Sequence, residues 1–550
     1  MPTTPLSHSH FVPDGTGPAL RPDITVGSGL REVARQVPDR EALVEGITEG
    51  GRRWTYAELL ADAERAANVL LDYFEPGERV GIWAHNLPEW VIVEYGAALA
   101  GITLVTLNPS LQPSEAAYVL GQSRSSGVLV VPEVRGNPVA AYAAEIQADL
   151  PHLRHILRLD ELDALMATAT ARPELPVVRG SDPAQVQYTS GTTGFPKGVV
   201  LRHHSIVDNA MLWTDRVEIP DGASWVSPMP LFHTGGCVLG VLGALATRSK
   251  LVVLPGFDPG LFLLLMEREQ GQFAGAVPTM LIAAMEHPDF ASRDLSSWTG
   301  VVSGGAQVPE ALVRKIEDAL GLDFTIIYGQ TECSPTLTNT YPNDSAEDKG
   351  LTIGPPIAHT EVKIVDPNTG DTVPVGIQGE LWARGYFTMI EYFDNPDATA
   401  ETLRDDGWLR TGDLATMDDR GYCRIVGRLK DMIIRGGENL FPAEIEEVVM
   451  RHAAIAEVAV VGLPDERLGE IVAAFVRLTD DANEGSGSGG TGGVTVAGLR
   501  DFIRQALSPQ KTPTRWFTVD EFPLTGSGKI QKFALRDAVE RGEFAERELT

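Results

Sequence analysis

Short runs rich in β-branched residues alternate along this chain with longer stretches of helical periodicity. Residues 78–83 predict a strand, residues 88–100 a helix and residues 102–106 the next strand. The same pattern predicts further strands at 126–131, 184–187, 250–254, 300–302 and 324–328, and an amphipathic helix at 309–320. Such alternation is typical of an α/β fold, in which parallel sheets are buried between layers of helices.

Several of these predicted strands end in segments that carry polar residues or glycine. Tyr188, Ser303 and Tyr328 each lie at such an exit. In open α/β sheets, ligands bind outside the carboxyl ends of the strands. We therefore expect the loops after these residues to bind a ligand.

The chain of 550 residues is too long for one hydrophobic core, and about two to four structural units are expected. The pattern restarts after a glycine-containing acidic turn at 418–421, with a helix at 442–451 and a strand at 457–461. We predict one domain at 1–428 and a small α/β domain at 429–550. The Gly/Ser-rich stretch 485–493 is predicted to be a surface insertion within the small domain.

The chain is acidic, with 75 Asp and Glu against 45 Lys and Arg and a formal net charge of −30. This balance argues against a general nucleic-acid binder and against a partner of anionic membranes. If the ligand is itself an anion, local donors and a metal ion must overcome a repulsive overall field.

Three cysteines, Cys237, Cys333 and Cys423, lie far apart and without metal-ligand spacing. They predict neither a disulfide framework nor a zinc site, and they fit a reducing compartment. The N-terminus has no apolar signal-peptide core, and no apolar run reaches the length of a membrane span. We therefore expect a cytoplasmic protein without integral membrane segments.

The segment from Tyr188 to Lys197 combines hydroxyl residues and glycines with a terminal lysine. Its hydroxyl groups can donate to phosphate oxygens, and its glycines let the main chain approach a ligand closely. It is not the common P-loop, because Phe195 and Pro196 separate Gly194 from the lysine. The phosphate-binding candidates are Thr189, Ser190, Gly191, Thr192, Thr193, Gly194 and Lys197.

Two glycine turns after later strands are candidates for binding a flat ring. Gly304, Gly305 and Ala306 follow the strand at 300–302, where a small-residue turn lets a ring lie against the main chain. Tyr328 and Gly329 follow another strand, and the tyrosine ring is suited to stack on a purine.

Polar residues farther along complete the candidate chemistry. Thr331 is suited to bond a phosphate, and Glu332 to hold Mg²⁺. Asp413 follows a glycine turn, and its carboxylate can accept from two ribose hydroxyls. Residues 427–446 form the longest informative string, and Lys529 lies on a glycine-rich loop near the C-terminus.

Together these strings resemble the adenylate-forming superfamily, which includes acyl-CoA synthetases, carrier-protein adenylation domains and beetle-type luciferases. They occur in the family's order and at comparable spacing over residues 188–532, and residues 54–59 and 230–233 are similar as well. The resemblance therefore covers nearly the whole chain. It implies a large N-terminal domain of layered sheets and helices, a small mobile C-terminal domain and an active site between them.

The resemblance implies a nucleotide-binding role for the first group of candidates. Residues 189–194 and Lys197 would hold the triphosphate of ATP. Residues 304–306 and Tyr328 would frame adenine, and Thr331 would contact the α-phosphate.

The remaining matches would complete the reacting centre. Glu332 would reach the α-phosphate through Mg²⁺, and Asp413 with Arg428 would fix the ribose. His233 would lie beside the acyl carboxylate and shape its channel. Lys529 would bridge that carboxylate and the α-phosphate.

Three further positions match the parts that the family uses for its second half-reaction. Lys430 matches the hinge about which the C-terminal domain rotates. Gly436 and Gly437 match the loop that lines the tunnel for the pantetheine arm of coenzyme A.

The implied reaction is ATP-dependent activation of a carboxylic acid to an acyl-adenylate, followed by thioester formation with CoA. The strings at 328–335 and 430–439 most resemble ligases for medium- to long-chain fatty acids. The alternatives are an aryl or secondary-metabolite acid, delivery to a carrier protein, a light-emitting oxidase, or an ATP-binding relative without catalysis. Trp225, Cys237 and Thr336 are candidates for the pocket wall, and the protein is expected to be a monomer or a homodimer.

Overall fold

The computed structural model describes residues 4–189, 196–306, 308–436, 438–479, 495–524 and 530–549, with residue 439 as backbone only. Within these ranges no helix is both long and apolar enough to cross a membrane. The phosphate-loop candidates at 190–194, Gly437, Lys529 and the stretch 485–493 lie outside the described residues.

Twenty-four strands occur in the described part of the chain. In chain order they are β1 His10–Phe11, β2 Glu41–Glu45, β3 Arg53–Thr55, β4 Arg79–Trp83, β5 Thr103–Leu107, β6 Gly127–Val130, β7 His155–Arg158, β8 Pro183–Thr189, β9 Lys197–Arg202, β10 Ser224–Ser227, β11 Lys250–Val253, β12 Phe273–Gly275, β13 Gly300–Gly304, β14 Asp323–Gly329, β15 Thr336–Asn339, β16 Thr360–Val365, β17 Gly379–Gly385, β18 Leu409–Met417, β19 Cys423–Arg428, β20 Ile433–Arg435, β21 Glu438–Leu440, β22 Ile455–Asp465, β23 Gly469–Leu478 and β24 Arg515–Thr518.

Sixteen α-helices occur in the same ranges. They are α1 Val26–Gln36, α2 Tyr56–Tyr73, α3 Pro88–Ala100, α4 Pro113–Gln122, α5 Val139–Asp149, α6 Leu162–Thr168, α7 His203–Arg216, α8 Gly243–Ala246, α9 Pro259–Arg268, α10 Pro278–Glu286, α11 Glu310–Leu320, α12 Ala346–Leu351, α13 Pro396–Thr402, α14 Pro442–Val449, α15 Val496–Ile503 and α16 Lys532–Glu540. A π-helical segment at Gly235–Leu242 leads directly into α8.

Two sheets contain most of the predicted strands. The six-stranded sheet has the order β7-β6-β4-β5-β8-β9, and the eight-stranded sheet has the order β15-β14-β13-β12-β10-β11-β2-β3. Their central strands are parallel, whereas β9, β3 and β15 are antiparallel to their neighbours. The predicted α/β class is therefore confirmed. The antiparallel strands at the sheet edges are a feature that the sequence pattern did not predict.

The alternation of strand and helix patterns located the elements accurately. The helix predicted at 88–100 is α3 with the same bounds, and β4, β5, β6 and β11 match their predicted ranges within one residue at each end. These segments are apolar and mostly buried, so their patterns are strong.

The other two sheets depart from the parallel arrangement that the alternation predicts. One has the order β1-β16-β17-β18-β19. The other has the order β21-β20-β23-β22, with β24 added in parallel beside β23. In this second sheet β22 and β23 pair in antiparallel fashion across a tight turn, because a short connection cannot lead into a parallel neighbour.

Helix α3 lies between the two large sheets and is apolar on nearly all sides. All thirteen of its residues are buried, and it contacts β5 of one sheet and β2 of the other. Pro88 opens the helix, and Gly101 ends it in a left-handed conformation with φ of 68°. A helix with no solvent-facing side is expected at the centre of a layered core.

The chain divides into two compact units. The first comprises Met1–Lys363, Trp382–Thr411 and Asp418–Arg424, and it contains the two large sheets. The second comprises Ile364–Leu381, Gly412–Met417 and Ile425–Thr550, and it contains the sheet of β20 to β24. The domain boundary after residue 428 stays a prediction.

The buried His203 at the start of α7 makes the first unit sensitive to acid. Its Nδ1 accepts a hydrogen bond from the Val26 amide at 3.4 Å, so Nδ1 must carry no proton and the ring is neutral. Burial lowers the pKa of His203 from 6.5 to about 4. Between pH 6.5 and pH 4 this histidine is therefore protonated in the unfolded chain but neutral in the folded protein. The free energy of unfolding falls as the pH drops through this range.

We expect His203→Asn, which keeps an acceptor but does not titrate, to reduce this acid sensitivity. The wild type should lose about 2 kcal/mol more unfolding free energy than the variant between pH 7.5 and pH 5. Urea unfolding followed by tryptophan fluorescence at both pH values measures the difference. Equal losses in the two proteins would show that His203 is not the responsible group.

Candidate active site

The two predicted adenine-binding turns leave the same edge of the eight-stranded sheet. Strands β13 and β14 are parallel neighbours, and Ser303 and Gly304 pair with Ile326 and Ile327. Parallel strands end at the same side of a sheet. The segments at 304–306 and 328–332 therefore start side by side.

Glycine is required in both turns for reasons that the geometry makes explicit. Gly305 has a positive φ of 77°, which favours glycine. At Gly329 an added Cβ would lie 1.8 Å from the Pro335 carbonyl oxygen. The chain after β14 thus folds back tightly upon itself and returns as β15.

This return turn carries the candidates Thr331 and Glu332. Residues Thr331–Cys333 form a 3₁₀ turn, and the Gln330 amide donates to the Pro335 carbonyl at 2.9 Å. Ser334 has a φ of 66°, and its hydroxyl donates to the Phe387 carbonyl at 2.7 Å. Thr331 is buried, whereas Glu332 is partly exposed.

Residues that flank the phosphate segment meet this turn through Tyr392. Strands β8 and β9 place Thr189 opposite Lys197 at the end of their ladder. The Tyr392 hydroxyl donates to Glu332 Oε1 at 2.7 Å, and Lys197 Nζ lies 4.9 Å from the centre of the Tyr392 ring. The structure therefore brings Thr189, Lys197 and Glu332 into one cluster of the first unit.

His233 lies two residues before the π-helical segment Gly235–Leu242 of the first unit. Its Nδ1 accepts from the Gly235 amide at 3.1 Å, and its carbonyl accepts from the Cys237 amide at 3.1 Å. The side chain is partly exposed. In the neutral ring the proton is then on Nε2, which can donate to an oxygen of a ligand.

A buried chain of polar side chains leads from α3 to this segment. Gln185 Nε2 donates to Glu94 Oε1 at 2.7 Å, and Gln187 Nε2 donates to Gln185 Oε1 at 2.7 Å and to Cys237 Sγ at 3.0 Å. Burial raises the pKa of the Glu94 carboxyl well above its usual range. Gln187 lies two residues before Thr189 in β8. This chain of side chains therefore joins β8 to the π-helical segment.

The three residues predicted for the pocket wall are all buried in the first unit. Trp225 contacts Trp213 and Phe273 edge to face, at centroid distances of 5.6 and 4.8 Å, which is ordinary core packing. Cys237 belongs to the polar chain described above. The Thr336 amide donates to Asn209 Oδ1 at 3.0 Å.

In the second unit, the predicted ribose pair is in contact. Arg428 Nε lies 2.7 Å from Asp413 Oδ1, and these residues belong to the neighbouring strands β19 and β18. The carboxylate of Asp413 is only 4% exposed. Arg428 thus neutralises a buried acceptor and orients it.

Lys430 and Gly436 follow in the same unit. Lys430 lies in the 3₁₀ turn Leu429–Asp431, directly after β19. Gly436 has a φ of 60° between β20 and β21, and its amide donates to the Leu468 carbonyl at 2.7 Å.

Comparison with known proteins identifies the family. The family model described as AMP-binding enzyme matches residues 30–393, and the model described as AMP-binding enzyme C-terminal domain matches residues 444–529. The chain belongs to the AMP-binding enzyme family. The resemblance to the adenylate-forming superfamily is thereby confirmed.

Individual members of the family are similar over nearly their whole length. The putative acyl-CoA synthetase YngI of Bacillus subtilis is 37% identical, covering 93% of this chain and 96% of that protein. The mitochondrial medium-chain acyl-CoA ligase ACSF2 of Mus musculus is also 37% identical, over 94% of this chain and 88% of its own. The solved fatty acyl CoA synthetase of Mycobacterium tuberculosis is 32% identical with a TM-score of 0.76, covering 94% of this chain and 99% of its own.

The donor set around Glu332 fits the Mg²⁺ that AMP-binding enzymes are expected to use with ATP. Among the described residues, no group of three or more His, Cys, Asp and Glu side chains is arranged to hold a metal. Mg²⁺ is often bound by one or two carboxylates together with substrate phosphates and water. Tyr392 engages Oε1 of Glu332, so Oε2 lies outside that hydrogen bond.

Sequence reasoning about this member of the AMP-binding enzyme family did not select Tyr392 or Glu94. A single tyrosine before an Asp-Asn-Pro turn has no spacing that indicates a site. Glu94 lies in an apolar helix, where a lone carboxylate gives a weak signal. In the sequence, the polar chain is indicated by Gln185 and Gln187, which occupy alternate positions of an otherwise apolar strand.

We expect Gly329→Ala to disturb the turn that carries Thr331 and Glu332. The added methyl group would overlap the Pro335 carbonyl, and forced shifts of this kind cost about 1–3 kcal/mol. The predicted result is a lower melting temperature together with weaker ATP binding, measured by differential scanning fluorimetry and calorimetric titration.

Gly275→Ala in β12 is the matched control, because its added Cβ would make only ordinary contacts at 3.6 Å or more. A Gly329→Ala protein as stable and as tight in ATP binding as Gly275→Ala would contradict the assigned crowding.

Proposed function

We propose that this protein is an AMP-forming acyl-CoA ligase that activates a medium- to long-chain fatty acid. The observation that carries the proposal is the cluster of Thr189, Lys197 and Glu332 around Tyr392. The cluster joins the two residues that flank the hydroxyl- and glycine-rich segment to the turn that carries Glu332. That turn lies beside the turns predicted to bind adenine. Two acyl-CoA synthetase or ligase relatives at 37% identity support the choice of reaction class.

In the first step a carboxylate oxygen attacks the α-phosphorus of ATP, and pyrophosphate leaves. Two anions must meet, so the catalytic task is charge neutralisation and alignment instead of proton transfer. Residues 189–194 and Lys197 hold the phosphates that leave, and Thr331 contacts the α-phosphate. Lys529 bridges the two reacting groups. Mg²⁺, held through Glu332, supplies further charge neutralisation when bound.

The nucleotide is held at its two other parts. Residues 304–306 and Tyr328 receive adenine beside Gly329. Asp413 accepts hydrogen bonds from the ribose hydroxyls, and Arg428 orients the Asp413 carboxylate. Asp413 is suited to this task because its buried carboxylate is already fixed by the arginine.

In the second step the thiol of CoA attacks the acyl-adenylate and AMP leaves. We infer that the C-terminal domain turns about Lys430 between the two steps, which withdraws Lys529 and brings Gly436 and Gly437 to the pantetheine arm. His233 lies by the acyl carboxylate in the first step. Using one site in two arrangements lets the same nucleotide serve both reactions.

The acidic chain binds anionic substrates through local groups. A net charge of −30 opposes ATP at long range, but this repulsion is screened beyond about 8–10 Å at physiological salt. Lys197, Arg428 and Lys529 therefore act at contact distance. The same charge argues against a nucleic-acid ligand.

A panel of acids, graded by chain length and by aromatic ring content, tests the proposed substrate. We expect pyrophosphate release to peak with medium- or long-chain fatty acids and CoA to yield the acyl-CoA thioester, measured by coupled assay and mass spectrometry. A maximum with an aryl acid, or thioester formed only on a carrier protein, would favour the alternative. Background release with every acid would favour an ATP-binding relative without catalysis.

Lys529→Ala tests the assignment of the bridging lysine. We expect adenylation to fall by at least a few hundredfold, because one transition-state cation is lost. Thioester formation from supplied acyl-adenylate should remain near the wild-type rate. Lys532→Ala is the control, since that lysine forms an ion pair with Glu446 at 2.6 Å. Equal losses in both half-reactions would contradict the role of Lys529.

A further inference from the structure

Tyr392 lies between two groups of opposite charge in the candidate active site. Its hydroxyl donates to Glu332 Oε1 at 2.7 Å, and its ring faces Lys197 Nζ at 4.9 Å from the ring centre. The residue is only 5% exposed. Lys197 and Glu332 make no direct ion pair in this structure, although both approach the same side chain.

Main-chain hydrogen bonds fix the segment that carries this tyrosine. The Ile390 amide donates to the Val200 carbonyl at 2.8 Å, and the Phe393 amide donates to the Gly198 carbonyl at 2.7 Å. On the other side, the Met389 amide donates to the carbonyl of Glu332 at 2.9 Å. Residues 389–393 therefore join the edge of β9 to the acidic turn.

The ring and the hydroxyl leave each charged group with capacity for a ligand. An ammonium group over an aromatic face is stabilised without using its N–H donors on a carboxylate. A phenol that donates to one carboxylate oxygen orients the group and leaves the other oxygen for a cation. A direct Lys197–Glu332 pair would instead engage the donors of one group with the oxygens of the other.

The phenol is suited to remain the donor in this arrangement. A phenol in water ionises only at about pH 10, so it faces a carboxylate at neutral pH as a proton donor. The hydroxyl therefore keeps its proton throughout the physiological range.

We propose that Tyr392 is a positioning residue that separates Lys197 from Glu332 and orients the Glu332 carboxylate towards the metal ion that accompanies ATP. This inference rests on the proposed function in taking ATP with Mg²⁺ as the ligand. It goes further in assigning the spacing of the two charges to one aromatic side chain.

Calorimetric titration of the full-length protein with ATP, without acid or CoA, tests the proposal apart from turnover. Each protein is titrated once in EDTA and once with saturating Mg²⁺. The ratio of the two dissociation constants measures the gain from the metal. Tyr392→Phe removes the hydroxyl and keeps the ring, so we expect this ratio to fall about tenfold, as for other residues that orient a metal ligand.

Tyr392→Leu also removes the ring and so tests the separation of charges. Lys197 is then free to pair with Glu332, and we expect weaker binding in EDTA as well as a smaller gain from Mg²⁺. Tyr392→Phe should keep the wild-type affinity in EDTA. If Tyr392→Leu binds metal-free ATP as well as the wild type does, the spacer role is wrong.

Tyr422→Phe is the matched control. The Tyr422 hydroxyl donates to Asp344 Oδ1 at 2.7 Å, and the residue is 2% exposed, so the same kind of buried phenol–carboxylate bond is lost elsewhere. We expect a similar loss of melting temperature but an unchanged Mg²⁺ ratio. A fall in the ratio for both tyrosine variants would reduce the effect of Tyr392 to general destabilisation.

The double variant Tyr392→Phe/Glu332→Gln tests whether the tyrosine acts through the carboxylate. Once Glu332 is replaced, removing the hydroxyl should change the Mg²⁺ ratio no further. Additive losses would overturn the proposed route. A wild type that does not bind ATP would refute the proposed function, whereas a wild-type ratio in Tyr392→Phe would refute this inference alone.

Discussion

The antiparallel pairing of β8 with β9 is the constraint on which the site in the first unit depends. It places Thr189 opposite Lys197, the two residues that flank the segment predicted to bind phosphate. On the other edge of β9, main-chain groups exchange hydrogen bonds with residues 390–393. This segment covers a strand edge that would otherwise be open. Because the Met389 amide donates to the carbonyl of Glu332, in the turn that follows β14, this segment also links the two large sheets.

This arrangement also governs how an acidic protein presents positive charge to an anionic ligand. Lys197 contacts an aromatic face, whereas Arg428 is committed to a buried carboxylate. The first contact uses none of the lysine N–H donors on a carboxylate, and the second uses the charge of the arginine to hold a hydrogen-bond acceptor in place. The pairs Arg31–Glu64, Arg124–Asp394 and Arg541–Glu543 are exposed on both sides, and such pairs contribute little to stability.

One part of the interior of the first unit is a chain of buried polar side chains. Glu94 lies in a helix with no solvent-facing side, and leaving its ionised carboxylate unpaired there would cost far more than keeping it protonated. Gln185 and Gln187 continue from it to Cys237, in the π-helical segment that follows His233. A chain of this kind specifies which strand lies against which helix, because any slip leaves buried polar atoms unsatisfied.

The sequence by itself determined the α/β class, the positions of most elements and the family, because apolar periodicity and the glycine- and hydroxyl-rich strings are local properties. It also selected Thr189, Lys197, Glu332, Asp413 and Arg428. It did not indicate the antiparallel edges, the polar chain from Glu94 or the place of Tyr392. Those features join residues as far apart as β9 and the segment before α13, and only tertiary structure decided them, since backbone pairing and burial create their chemistry.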